Sequence, residues 1–91
     1  MTPTEWLTRF QAFVRERRRR ARAARVALNN AVRDGRVRRG NVCERCGWWR
    51  TIEAHHPDYA RPLDVEWLCH GCHREEHAAG APLAREFEAS L

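Results

Sequence analysis

Two Cys-x-x-Cys pairs, Cys43–Cys46 and Cys69–Cys72, stand twenty-two residues apart, and an adjacent pair, His55-His56, lies between them. Thiolate and imidazole are the ligands that zinc and its neighbours in the first transition row prefer. Each Cys-x-x-Cys delivers two thiolates from one tight turn. The four together match a tetrahedral zinc site, at a spacing slightly longer than the usual four-thiolate range. Four thiolates leave no open position, so a zinc held by Cys43, Cys46, Cys69 and Cys72 is structural. The other uses of these residues are two disulfides or free thiols in a core.

The histidines offer a second chemistry. Adjacent side chains on an extended strand point to opposite faces, so His55 and His56 do not share one task. His73 and His77 follow Cys72 at a spacing of four, which puts them on one face of a helix. Folding the His55-His56 segment onto that helix, as a shared zinc demands, gathers all four. Three imidazoles then hold a divalent metal and the fourth activates water. The plainer roles are replacement of a cysteine at the zinc and hydrogen bonding in a small core.

Positioning these groups falls to a short chain. With 91 residues, a core is marginal on burial alone, and small domains commonly add metal or disulfides. In zinc-finger peptides, metal binding contributes on the order of 10 kcal/mol. Thr2-Pro3-Thr4-Glu5 is a helix start, with Thr2 as cap, Pro3 in the first turn and Glu5 closing a capping box. Trp6, Leu7, Phe10, Phe13 and Val14 mark one buried face, which resumes at Ala24, Leu28, Ala31 and Val32 before an Asp34-Gly35 ending. The intervening "ERRRRARAAR" is polar, and like charges along Arg17 to Arg20 repel, so two helices are expected rather than one. Gly47 supplies the knuckle turn after Cys46. Trp48 to His55 reads as the two arms of a β-hairpin, with Trp48 and Trp49 packed on it. Val65 to Leu68 is a short strand or turn. Cys69-His70-Gly71-Cys72 opens a helix through His77, Ala79 to Pro82 stops it, and Leu83 to Leu91 forms a last helix around Leu83, Phe87 and Leu91.

Charge is uneven. Residues 1–40 carry twelve Arg against three acids, and residues 41–91 carry five Arg against nine acids. Arg15, Arg17, Arg18, Arg19, Arg20, Arg22 and Arg25, with Arg36, Arg38 and Arg39 in the linker, fit phosphate contacts along DNA or RNA, which give affinity without sequence choice. A solvated face and an acidic protein partner are the other uses of such a helix. No apolar leader follows Met1, and no apolar run nears the ~18 residues of a membrane span. A soluble, cytoplasmic protein is expected, without a membrane partner and with its thiols available for metal.

The order Cys43-x-x-Cys46, His55-His56, Cys69-x-x-Cys72-His73, His77 resembles the HNH endonuclease (ββα-metal) family. It is most similar to small phage-encoded HNH-like zinc proteins with "HHPDY…PL.V.WLC..CH…H". The resemblance covers Val26 to His77. It implies that His56 is the general base, that His55, His73 and His77 ligate Mg2+, Mn2+ or Ni2+, and that this metal stabilises phosphate charge and leaving oxygen. Asp64 stands where the family's central Asn orients the base.

The expected architecture is therefore α+β: a small treble-clef zinc module at 41–91, built of a β-hairpin and a helix, with a basic helical extension at 1–40. The expected function is metal-dependent DNA cleavage by a phage-derived, host-cytoplasmic HNH-like protein. The alternative is a non-catalytic zinc adaptor or inhibitor that binds nucleic acid or a host protein machine.

Overall fold

The computed structural model of the chain describes residues 1–80 and 82–91. In chain order its elements are helix α1 (Pro3–Arg33), strands β1 (Ile52–His55) and β2 (Glu66–Cys69), and helices α2 (His70–Ala79) and α3 (Leu83–Ala89). Among the described residues the architecture is α+β, three helices with one two-stranded antiparallel sheet. None of the helices is long and apolar enough to cross a membrane.

Both ends of α1 form as the sequence dictates. The Thr2 hydroxyl accepts the Glu5 N–H at 3.1 Å. At the other end the Arg36 N–H donates to Ala31 O and the Gly35 N–H to Val32 O, the paired bonds of a Schellman ending. The expected break at the Arg run is absent, and α1 is continuous over 31 residues. Glu16 pairs with both Arg19 and Arg20, while Arg17 leaves the row for Glu86 at 3.5 Å. Like-charge repulsion is thereby dispersed, and packing anchors the helix on either side of the run. Toward the N-terminus, Trp6, Phe10 and Phe13 surround Phe87 of α3, with ring centroids 5.3–5.6 Å from it. Toward the C-terminus, Ala24, Leu28 and Ala31 are buried.

Leu28 enters a second cluster with Cys43, Ile52, Trp67, Leu68 and Cys69. Leu68 is fully buried, which stabilises the fold by about 1.5–3 kcal/mol relative to exposure. The linker runs so close over Trp67 that a Cβ on Gly40 would lie 2.6 Å from the Trp67 Cβ, and only glycine fits there. In α3, Phe87 alone of the three expected anchors is buried; Leu83 and Leu91 are exposed. The expected helix stop at Ala79 to Pro82 includes Ala81, which lies outside the described residues; α2 ends at Ala79 with Gly80 as its cap.

The hairpin differs from expectation. Trp48 to Thr51 are not strand; β1 is Ile52–His55 alone, and its partner is β2, in the register Ile52↔Cys69, Glu53↔Leu68, Ala54↔Trp67, His55↔Glu66. Trp48 is claimed by the knuckle, its carbonyl accepting the Cys43 N–H at 2.6 Å. Thr51 then turns through a left-handed conformation, φ 54. Both constraints take the preceding residues out of the sheet, and the two Trp rings stand exposed rather than packed.

Candidate metal centres

The cysteines arrive on two matching turns. Gly47, at φ 76, closes the first, donating its N–H to Cys43 O at 2.9 Å. The Cys46 N–H points to Cys43 Sγ and the Cys72 N–H to Cys69 Sγ, each at 3.4 Å. In the second turn Cys69 is the N-cap of α2, so strand end and helix start place one thiol each. The four Sγ atoms lie within 4.8 Å of one another. No disulfide joins them. A tetrahedron with Zn–S near 2.3 Å has edges of about 3.8 Å, and Cys46 Sγ is 3.7 Å from Cys69 Sγ. The donor set fits zinc. Crowding also splits the thiol acidities. For Cys43, burial acts upward, but the N–H groups of Cys46, Cys69 and Arg45 bring it down to about 6. Hydrogen bonding to the Cys69 and Cys43 sulfurs pushes Cys72 up to about 12. One thiol ionises early and the last resists, as coupled sites do.

The histidine cluster sits where β1 ends over α2. His55, His73 and His77 each turn one ring nitrogen to a common point, all within 4.8 Å of one another. His73 Nε2 and His77 Nε2 are 3.1 Å apart. Two imidazoles on one ion at about 2.0–2.1 Å are separated by about 3 Å, so the spacing fits a shared cation. The His73 ring is oriented from behind: its Nδ1–H donates to Glu53 Oε1 at 3.2 Å, which leaves Nε2 as the ligand nitrogen. The same oxygen accepts from His70 Nδ1 at 3.2 Å. Burial acts to raise the Glu53 carboxyl, but the His73 and His70 hydrogen bonds outweigh it and hold it below its ordinary value. Burial lowers His55, helped by the nearby His73 and opposed by Glu76 and Glu66; its ring stays neutral and able to ligate. Glu76 is kept ionised by Arg45, 2.7 Å away.

Glu53 was not singled out from the sequence. Strand alternation carries the signal: Glu53 and His55 are two residues apart in β1, hence on one face, while Ile52 and Ala54 serve the other.

His56 stands apart from the three ligands. Its Nε2 is 2.9 Å from Pro62 O; a carbonyl only accepts, so Nε2 carries the proton and Nδ1 keeps the lone pair in the neutral ring. Asp64, expected beside this imidazole, does not hold it. The turn closed by the Asp64 N–H on Arg61 O directs its carboxylate to Arg61 Nε at 2.9 Å. Pro62 does what Asp64 was expected to do.

The histidines open onto a groove of about 1220 Å³ between α1 and the 55–60 segment, lined by His55, His56 and His77 on one wall and Arg17, Arg18 and Arg20 on the other. Arg17 lies 5.6 Å from the Tyr59 ring centroid. Of the acids that share the lining, Glu16 is engaged by Arg19 and Arg20, Glu86 by Arg17 and Glu76 by Arg45, whereas the Asp58 carboxylate accepts only the Ala60 N–H and has no cationic partner among the described residues. Among the described residues Arg15, Arg18, Arg22, Arg25 and Arg38 are exposed and form no ion pair. Arg36 pairs with Asp34, and Arg39 donates to Ile52 O.

No protein-family model, no curated protein and no solved structure matches the chain.

Proposed function

We propose that the chain is a zinc-stabilised, HNH-like treble-clef protein that hydrolyses phosphodiester bonds in DNA with a second divalent metal. The observation that carries this is the convergence of His55, His73 and His77 on one point, with His55 and His77 lining, together with His56, a groove that Arg17, Arg18 and Arg20 also line. Cys43, Cys46, Cys69 and Cys72 would hold zinc, and the three histidines the exchangeable ion. An all-imidazole set favours Ni2+ or Zn2+ over Mn2+ and Mg2+, which prefer oxygen ligands. When bound, that ion supplies Lewis-acid stabilisation of phosphate charge.

The chain's own residues do the rest. Pro62 O fixes the His56 tautomer, and His56 Nδ1 takes the proton of the attacking water as the new P–O bond forms and the ester P–O bond breaks, the leaving sugar oxygen then taking a proton from solvent. Glu53 keeps the His73 ligand nitrogen aimed. Arg17, Arg18 and Arg20 position the phosphate backbone, with the remaining exposed arginines of α1 and the linker extending the track.

The adaptor alternative also has an observation behind it: His73 and His77 satisfy each other at 3.1 Å and His73 leans on Glu53, so the cluster is self-contained without a metal. Plasmid cleavage decides between them. The hydrolase nicks supercoiled DNA with Ni2+ or Mn2+, and His56→Ala loses ~10²–10⁴-fold in rate while still binding metal and DNA. A wild-type chain that binds DNA but cuts none with any divalent ion is an adaptor. Changing Arg17 to Arg20 into Gln weakens duplex binding equally for all sequences and flattens its salt slope by roughly three to four units.

A further inference from the structure

The loop between the knuckle and β1 presents two indoles to solvent. Trp48 is 51% and Trp49 61% exposed, although both are large apolar groups in a chain with little core to spare. Their rings stack, centroids 6.3 Å apart at 27°. The Arg50 guanidinium lies 4.4 Å from the Trp49 centroid, adding a cation–π contact. The pair is held out actively: the Trp48 carbonyl is tied to the Cys43 N–H, and Thr51 adopts its left-handed turn at φ 54. A β-branched residue there is a genuine outlier, and such strain persists where the surroundings over-determine it.

The setting is cationic. Between residues 36 and 52 there are five arginines and one acid, Glu44, whose carboxylate is occupied by the Trp67 N–H. Arg39, anchored on Ile52 O just past the Thr51 turn, and the exposed Arg38 stand in the same stretch. Flat aromatic faces beside fixed positive charge match one partner chemistry: unpaired bases, which stack on indoles, joined by phosphates, which pair with guanidinium. A duplex keeps its base faces covered, and an acidic polypeptide uses the arginines but not the rings.

We infer that Trp48 and Trp49, with Arg50, form a stacking platform for single-stranded nucleic acid. It follows the cysteine knuckle in the chain, tied to it through the Trp48 carbonyl, and requires neither a metal on the histidines nor hydrolysis there; its readout is binding alone. The test uses the full zinc-loaded chain, a short oligo-dT, an abasic strand of equal length, and intrinsic fluorescence. Oligo-dT quenches the chain even with Trp6→Phe in place, and binds more tightly than the abasic strand. Trp48→Ala and Trp49→Ala each lower oligo-dT affinity roughly 5- to 150-fold and leave abasic-strand affinity and zinc content unchanged, whereas Trp49→Phe keeps most of the binding. The platform is overturned if the abasic strand binds the parent as tightly as oligo-dT, a comparison that needs no substitution at the loop. Equal oligo-dT affinity in parent and alanine variants, or quenching by polyglutamate as strong as by oligo-dT, overturns it as well.

Discussion

The cysteine and histidine clusters are built on the same sheet and the same helix, yet they are chemically opposite. Cysteines arrive in pairs from tight turns, two of them buried, and their four sulfurs lie within 4.8 Å of one another, a set that one metal ion would close. Histidines arrive singly from β1 and one helix turn apart on α2, three donors of which His55 and His77 line a groove. Closure at the first suits a part that holds the chain together. An open side at the second suits a part that exchanges its contents. The lesson is one of ligand geometry: one helix serves both because its N-terminus caps on Cys69 while His73 and His77 sit a turn or more further along.

That contrast is sharpest where it is broken first. Cys72→Ser removes one donor from a complete tetrahedron, and the sheet, α2 and Leu68 have too little other burial to stand alone. The expected result is loss of the cooperative thermal transition and of β-sheet and α2 structure by circular dichroism, matched by stoichiometric chelation of the wild type. A cooperative melt that survives both would remove zinc from the account. The corresponding change at the other cluster behaves differently. His77→Ala keeps the fold and the tight zinc, weakens binding of the second metal and lowers cleavage at limiting metal; excess Ni2+ restores part of it.

Glu53→Gln sharpens the comparison further, because it leaves all seven ligands in place. Loss of an outer carboxylate typically costs about 10–100-fold in metal affinity or activity. The fall should appear in Ni2+ titrations at the histidines and not in zinc retention by the cysteines. Equal loss at both sites would mean that Glu53 merely supports the sheet. The smallest effect is expected from Arg45→Gln. Arg45 joins the knuckle to Glu66 and Glu76 through partly exposed pairs, and such pairs contribute little. Its melting midpoint should scarcely move, while Ni2+ affinity changes slightly as Glu76 loses its partner.

The parts legible in the sequence are those whose geometry is local. A Cys-x-x-Cys turn, the His73–His77 helix spacing and the caps at Thr2 and Asp34 are each decided within a few residues, and each forms as read. What escaped was decided by distant partners. Continuity of α1 depends on Glu86 and Phe87, which lie far along the chain from their partners Arg17 and Trp6. The strand pairing of β1 with Glu66–Cys69, and hence the exposure of Trp48 and Trp49, depends on which residues the knuckle claims. Pro62 took the place of Asp64 beside His56 because a four-residue turn, Arg61 to Asp64, aimed the carboxylate elsewhere. Glu53 lies between the two cases: alternation placed it beside His55, but only the folded helix put His73 and His70 in its reach.

Metal content under graded chelation tests the two-site account most directly. The chain is saturated with zinc and Ni2+, dialysed against a chelator of moderate strength, and followed by native mass spectrometry and circular dichroism together. Two independent sites give two metals per chain at saturation and one after dialysis, with full secondary structure retained and the second metal absent from His55→Ala and His77→Ala. A single metal at saturation, or two that leave together as the fold collapses, would contradict that arrangement.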